Sequence, residues 1–168
     1  MNPFEETITS IFNSPLEIGL RILYIYNELF PKGCDLQRLI YYDYLLLHSS
    51  DVANGPKSIH PKIPLRAAEI LVKRDLIKQG LTLMISRQLL KSSFETDGII
   101  YFATELTSPF LEFNKSDYAK ELKEVSKWLV KEFENYDDMK LSFFIKNNLD
   151  VWGGEFSNES LLRGMYNE

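Results

Sequence analysis

The sequence is poor in the residues from which disulfides, metal sites and reactive nucleophiles are built. Cys34 is the single cysteine among 168 residues, and His48 and His60 are the two histidines. A lone thiol excludes an internal disulfide and a cysteine-rich zinc site, and it fits a reducing cytosol. No uncharged apolar run of about 18 residues occurs, which excludes a membrane-spanning helix.

Motifs of the common enzyme classes are also missing. The patterns G-x-x-x-x-G-K-[ST], G-x-G-x-x-G, G-x-S-x-G and H-E-x-x-H do not occur. Cys34 and His48 could form a catalytic pair, and His48 and His60 could bind a metal with Asp51, but the spacing fixes neither geometry. We therefore interpret these residues as structural and expect no enzyme activity, no cofactor and no metal.

Length and composition favour one folded domain over residues 1–168, with 45% hydrophobic and 13% aromatic residues available for its core. The first residues, Met1-Asn2-Pro3-Phe4-Glu5-Glu6, are acidic where a secretory signal peptide is basic. We therefore expect a cytoplasmic protein.

Charge is distributed unevenly. The net charge of −5 disfavours indiscriminate coating of nucleic acid or of an anionic membrane. The segment from Lys57 to Lys91, however, contains eight basic and two acidic residues, so it carries +6 while the remainder carries −11. A basic segment inside an acidic chain is the most informative charge feature of the sequence.

Two helices are predicted in the first fifty residues. Ser14-Pro15-Leu16-Glu17 is typical of a helix start, with Ser14 as the N-cap, and Pro31-Lys32-Gly33 ends this helix. Asp35 is then expected to cap a second helix over residues 36–48. Because the apolar residues of this second helix lie on nearly every side, it should be buried or face a partner.

A loop over residues 49–64, rich in proline and polar residues, is long enough to have a function of its own. Helical spacing returns over residues 65–90, with a break near either Asp75 or Gly80. A β-hairpin follows and turns at Glu95-Thr96-Asp97-Gly98, where Asp-Gly favours a tight turn. Further helices are expected to begin at Thr107, to run behind a Ser116 cap from about Tyr118 to Tyr136, and to cover residues 141–149 and 160–166.

The order of three helices and a hairpin is that of a winged helix-turn-helix domain. We therefore predict a mainly α fold with a small β-hairpin. Residues 14–104 would form a winged helix-turn-helix-like core, and residues 105–168 would form a C-terminal helical extension of the same domain.

The basic segment is the first candidate interaction surface. If residues 64–88 form the third helix of a winged helix, their exposed cations lie on or beside the element that enters a major groove. The same cations could instead form a solvated face or bind an acidic protein surface. The candidate DNA- or partner-binding residues are Arg66, Lys73, Arg74, Lys78, Arg87 and Lys91.

Aromatic residues provide the second candidate surface. Most tyrosines at helical spacing belong to a core, but consecutive tyrosines also predict an exposed aromatic face that a protein partner would cover. The candidate partner-interface residues are Tyr41, Tyr42, Tyr44, His48, His60 and Trp152.

Three blocks carry a family resemblance. They read Asp35-Leu36-Gln37-Arg38-Leu39-Ile40-Tyr41-Tyr42-Asp43-Tyr44-Leu45-Leu46-Leu47-His48-Ser49, then Ser58-Ile59-His60-Pro61 followed by Arg66 and Glu69-Ile70-Leu71-Val72-Lys73-Arg74, and finally Trp152-Gly153-Gly154-Glu155-Phe156. The sequence from residue 13 to residue 156 resembles the middle component of bacterial ABC-three-component systems.

The resemblance implies a small winged-helix-like subunit encoded between an SMC- or Rad50-like ABC ATPase and an effector such as a nuclease. The setting would be antiphage or antiplasmid immunity of the Lamassu kind, with the middle component as a non-enzymatic adaptor. Its partners would be the ATPase, the effector and double-stranded DNA, with no membrane. The alternative is a stand-alone winged-helix transcription regulator that binds a palindromic site as a homodimer.

Overall fold

The computed structural model describes residues 14–61 and 69–165. Arg66 and the rest of the 62–68 segment lie outside the described residues. The elements in chain order are α1 (Pro15–Leu29), β1 (Cys34–Asp35), α2 (Leu36–Leu47), a 3₁₀ turn (Ser49–Asp51), α3 (Glu69–Val72), α4 (Arg74–Ser86), β2 (Leu90–Glu95), β3 (Gly98–Ala103), α5 (Thr107–Glu112), α6 (Asp117–Glu132) and α7 (Asp138–Met165). The predicted fold class, mainly helical with a small β-hairpin, is confirmed.

Side-chain caps begin three of the helices where the sequence predicts them. Ser14 Oγ accepts a hydrogen bond from the Glu17 amide at 3.2 Å, and Asp35 Oδ1 accepts one from the Arg38 amide at 2.8 Å. Ser116 Oγ caps α6 in the same way. Each cap satisfies an amide that the first turn of a helix leaves without a carbonyl partner.

The predicted break in the third helical region falls at Lys73, two residues before Asp75, and not at Gly80. Gly80 lies inside α4, where it packs against Gly19 of α1. A Cβ built on Gly80 would lie 3.0 Å from the Gly19 backbone nitrogen, so the two helices cross too closely for a side chain. The glycine therefore serves helix packing instead of ending the helix.

The hairpin forms a sheet with one more strand than predicted. β2 and β3 pair antiparallel from Leu90↔Ala103 to Glu95↔Gly98, which leaves Thr96 and Asp97 as the two loop residues. Gly98 has a φ of +133°, a conformation open to glycine. The short β1 pairs antiparallel with β3, so the strand order is β1-β3-β2 and β2 lies at an edge.

Two predictions for the C-terminal half are wrong. The long helix ends at Glu132, four residues before Tyr136, and the two predicted helices of residues 141–149 and 160–166 are one continuous helix, α7. Glycine weakens a helix by about 1 kcal/mol but ends it only where the backbone turns left-handed. Gly153 and Gly154 accordingly lie within α7.

The core forms around α1 and α2, which are buried on nearly all sides. Leu122 and Leu129 of α6 and Leu141 and Ile145 of α7 join the same cluster. Within the described part of the chain, no helix combines the length and apolar character needed to span a bilayer.

Candidate functional site

Three of the predicted cations are exposed on α4 or at its end, namely Arg74, Lys78 and Arg87, and we call them together the basic face. Arg74 and Lys78 are one turn apart on α4, and Arg87 is the residue that ends the helix. Arg74 Nη1 donates to Gln37 Oε1 of α2 at 3.1 Å. Lys91 is also exposed, on β2 beyond the helix.

Lys73 does not belong to this face, so the expectation that it is exposed is wrong. Its ammonium lies 2.5 Å from Glu69 Oε2, and only 12% of its side chain is exposed. The pairing arises because Lys73 follows Glu69 by one helical turn. Arg66, which the sequence groups with Lys73, lies outside the described residues.

The predicted aromatic surface lies inside the molecule. Tyr41, Tyr42, Tyr44, His48 and Trp152 are all buried. The rings of Tyr44 and Trp152 stack with centroids 5.3 Å apart, and Trp152 Nε1 donates to the Asp51 carbonyl at 3.1 Å. These residues therefore hold α7 against α2, and the exposed aromatic face expected from the sequence is absent from the described part of α2.

A buried ion pair joins α1 to α2 beside this aromatic cluster. Arg21 Nε donates to Asp43 Oδ1 at 2.7 Å, and Arg21 Nη2 donates to Asp43 Oδ2 at 3.0 Å. Burial alone would raise the pKa of Asp43, but the adjacent guanidinium outweighs burial and lowers it. The sequence does not indicate this pair, because residues 22 positions apart on two apolar helices give no pairing signal.

The two histidines lie near this pair and contact different partners. His48 Nε2 lies 3.4 Å from Glu69 Oε2, and His60 Nε2 lies 3.4 Å from the Tyr118 hydroxyl. Burial would raise the pKa of Glu69, but the His48 hydrogen bond and the Lys73 charge hold it at about 2. Burial, together with the positive charges of Arg21 and Lys73, lowers the pKa of His60 to about 4.

Cys34 is a buried thiol at the start of the sheet. Its Sγ lies 3.6 Å from the Tyr26 hydroxyl, and burial raises the pKa of the thiol to about 12. A thiol with that pKa stays protonated at neutral pH and is a poor nucleophile. Among the described residues, no three His, Cys, Asp or Glu side chains converge as a metal site.

The structure also shows an exposed apolar surface on α7. Met139, Phe143 and Val151 are 84%, 68% and 65% exposed. Their spacing of four and eight residues places them along one side of the helix, whose other side buries Leu141 and Ile145. We call these three residues the outer face of α7. The four-residue spacing is the signal in the sequence from which this face could have been found.

A family model matches residues 11–155, which is most of the chain, and describes the ABC-three component (ABC-3C) system Middle Component 2. The chain belongs to this family. The match confirms the resemblance seen in the sequence. No curated protein and no solved structure matches the chain.

A middle component works with the other components of its system, so exposed surfaces matter more here than interior groups. Two such surfaces of this Middle Component 2 chain lie on or beside helices. One is the basic face on and beside α4, and the other is the outer face of α7. The aromatic and histidine residues identified from the sequence lie mainly in the interior that positions these two surfaces.

Proposed function

We propose that the chain is a non-enzymatic adaptor of a bacterial ABC-3C defence system, joining an SMC- or Rad50-like ABC ATPase to an effector such as a nuclease. The outer face of α7 binds one of these proteins, and the basic face contacts DNA held by the assembly. Family membership supports the system, and the two exposed surfaces support the division of roles.

The outer face of α7 is the observation that carries the adaptor role. Isolated exposed apolar residues are ordinary, but Met139, Phe143 and Val151 lie along one side of a single helix. An apolar stripe of this spacing is what a helix presents to a hydrophobic groove of a partner. Its exposure in the isolated chain is explained if another component covers it.

The interior supports the absence of enzyme activity. The groups best suited to nucleophilic or acid-base chemistry are Cys34, His48 and His60. The Cys34 thiol is buried with a raised pKa, and His48 is buried against Glu69. His60 packs against Tyr118 with a pKa near 4, below the range where a histidine exchanges protons at neutral pH.

The position of the basic face supports contact with DNA. α4 directly precedes the β2–β3 hairpin, the place that the recognition helix occupies in a winged helix. Arg74 and Lys78 lie on its exposed side. Cations on such a helix bind phosphates and base edges, although the acidic remainder of the chain limits binding without a partner.

The adaptor role is tested by co-expressing the chain with the ATPase and effector encoded beside it. We expect all three to co-purify, and we expect Phe143→Glu to reduce recovery of one partner at least tenfold. Phe113→Glu is the matched control, because Phe113 is 86% exposed but lies off this face. Equal recovery with both variants, or a chain that binds neither neighbour, would contradict the proposal.

A further inference from the structure

The edge strand β2 has one covered side and one open side. β3 pairs with it along all six residues, and within residues 14–61 and 69–165 no strand pairs with its other side. Lys91, Ser92, Phe94 and Glu95 are exposed, with Phe94 at 86%. An open edge with an exposed aromatic residue is a site for pairing with another strand.

The backbone phase of β2 determines which residues can hydrogen-bond outward. The Leu89 carbonyl accepts a hydrogen bond from the Thr104 amide at 3.3 Å, so the backbone groups of residue 89 point towards β3. Backbone groups alternate sides along an antiparallel strand. The amides and carbonyls of Lys91, Ser93 and Glu95 therefore also face β3. Those of Ser92 and Phe94 face the open edge.

We propose that β2 pairs antiparallel with β2 of a second copy of this chain, with Ser93 on the two-fold axis. In this register the backbone amide and carbonyl of Ser92 form hydrogen bonds with those of Phe94 of the second copy. The outward-facing backbone groups of both strands are then paired. Lys91 lies opposite Glu95 of the second copy, and by symmetry the interface contains this ion pair twice.

The charges select this register among those that the backbone allows. Only the even-numbered residues of β2 have backbone groups that face the open edge. The two-fold axis must therefore pass through a residue and not between two residues. Ser92, Ser93 and Phe94 are the residues near the middle of the strand through which it could pass. An axis at Ser92 places Lys91 opposite Ser93, and an axis at Phe94 places Ser93 opposite Glu95. Only the axis at Ser93 joins Lys91 to Glu95.

The side chains of both faces fit the same register. Lys91 and Glu95 form a non-hydrogen-bonded pair, the position where opposite side chains approach most closely. On the other face, the large ring of Phe94 lies opposite the small Ser92, which leaves room for it. The pairing assigns Lys91 to a carboxylate, although the sequence placed it among the candidate DNA-binding residues.

A disulfide at the two-fold axis tests the register directly. Opposed residues of a non-hydrogen-bonded pair have Cα atoms about 4.5 Å apart, within the range of about 4.4–6.8 Å that a disulfide spans. Under mild oxidation we expect Ser93→Cys to form a covalent dimer. Ser92→Cys is the matched control and should not, because the two copies of residue 92 are out of register. The buried Cys34 should not cross-link in either variant.

Charge exchange tests the ion pairs in the isolated full chain. Light scattering should give a dimer mass for the unmodified chain and about tenfold weaker association for Lys91→Glu or for Glu95→Lys. Lys91→Glu combined with Glu95→Lys should restore the dimer. Circular dichroism melting shows that each variant folds.

Two results would overturn the proposal. One is a monomer at high concentration in which Ser93→Cys gives no covalent dimer. The other is loss of binding to another system component in the β2 variants with self-association unchanged, which would assign the edge to a strand of that component. Neither result bears on the Phe143 experiment, so this proposal and the adaptor role fail separately.

Discussion

At the residue scale, the most consequential feature is the Arg21–Asp43 pair at the centre of the core. Both side chains are almost completely buried, and two hydrogen bonds orient the guanidinium against the carboxylate. A buried pair of this kind adds little net stability over apolar residues, but removing one member leaves an uncompensated charge. The pair therefore makes the α1–α2 packing specific for these two partners.

Replacing one member of the pair should be far more damaging than replacing both. We expect Asp43→Asn to lower the free energy of unfolding by about 3–5 kcal/mol, because the Arg21 charge stays buried. Arg21→Met combined with Asp43→Leu should cost less, since neither charge of the pair is left in the core, although Glu17, 3.8 Å from Arg21 Nη1, then loses its counter-ion. Urea unfolding of both variants checks this. Equal losses would show that packing and not charge dominates at this site.

Acid should destabilise the fold in two successive windows. The folded chain holds the pKa of His60 at about 4, below its ordinary 6.5, so the unfolded state gains a proton first as the pH falls from 6.5 to 4. Glu69, with a pKa of about 2 against its ordinary 4.5, contributes stability above pH 4.5 that is lost as the pH falls towards 2. Stability should therefore decline throughout acidification.

His60→Asn isolates the first window. The variant removes the titrating ring, so its free energy of unfolding should fall by about 1–2 kcal/mol less between pH 6.5 and pH 4 than that of the unmodified chain, because solvent screens the partly exposed His60. Thermal melting at each pH measures this difference. The decline below pH 4.5 should persist in both. A variant with the same pH dependence as the unmodified chain would show that His60 titrates alike in the folded and unfolded states.

At the scale of elements, the crossing of α1 and α4 positions the basic face. Gly19 and Gly80 face each other at this crossing, and Ile18 Cγ2 is 3.1 Å from where a Cβ on Gly80 would lie. Two side-chain-free positions allow the helix axes to approach closely. The distance between α1 and α4 therefore depends on residues that carry no chemistry.

Alanine substitutions at the two glycines should differ. Helix propensity alone would make Gly80→Ala stabilising by about 1 kcal/mol. Because its Cβ meets the α1 backbone, we expect instead a loss of about 1–2 kcal/mol. Gly19→Ala meets the end of the flexible Met84 side chain and should cost less. Thermal melting distinguishes these outcomes, and a stabilising Gly80→Ala would contradict the close crossing.

At the scale of the whole molecule, a chain of net charge −5 presents a local basic face. Such a surface attracts phosphates only at short range, where its own cations outweigh the surrounding acidic residues. Under the proposed function, DNA binding is therefore expected of the assembled complex more than of the isolated chain.

Reversing the basic face should weaken binding of the complex to duplex DNA. We expect Arg74→Glu, Lys78→Glu and Arg87→Glu together to weaken binding at least tenfold and to reduce the slope against log salt by about 3. The matched control reverses the exposed lysines of α6, Lys120, Lys123 and Lys127, with the same change in net charge. Fluorescence anisotropy across a salt series measures both.

Three outcomes of that salt series would have distinct meanings. An equal effect of both triple variants would show a response to net charge alone. No effect of either would remove DNA from the proposal. Sequence-specific binding of a palindromic duplex by the isolated chain would favour the transcription regulator instead.

The local features of the fold were predictable because their causes lie within a few residues. Ser14, Asp35 and Ser116 cap helices through amides three residues away, and the hairpin turn depends on neighbouring residues of one strand pair. The Middle Component 2 resemblance was likewise readable, because it rests on runs of adjacent residues.

The candidate surfaces were only partly predictable. Arg74 and Lys78 are exposed as expected, but Lys73 turns towards Glu69, and the tyrosines of α2 are buried. Exposure depends on which other elements pack on a helix, and α7 covers α2 from about one hundred residues away. The sequence pattern of α2 is the same whether this chain or a partner covers it.

The sequence by itself determined where helices begin, where the hairpin turns, how charge divides along the chain and which family the chain belongs to. Only the tertiary structure decided that Gly80 packs instead of breaking a helix, that Arg21 meets Asp43, that the aromatic residues face inward, and that α7 carries the exposed apolar side. Capping and turn formation act over a few bonds, whereas burial is set by contacts between residues far apart in the chain.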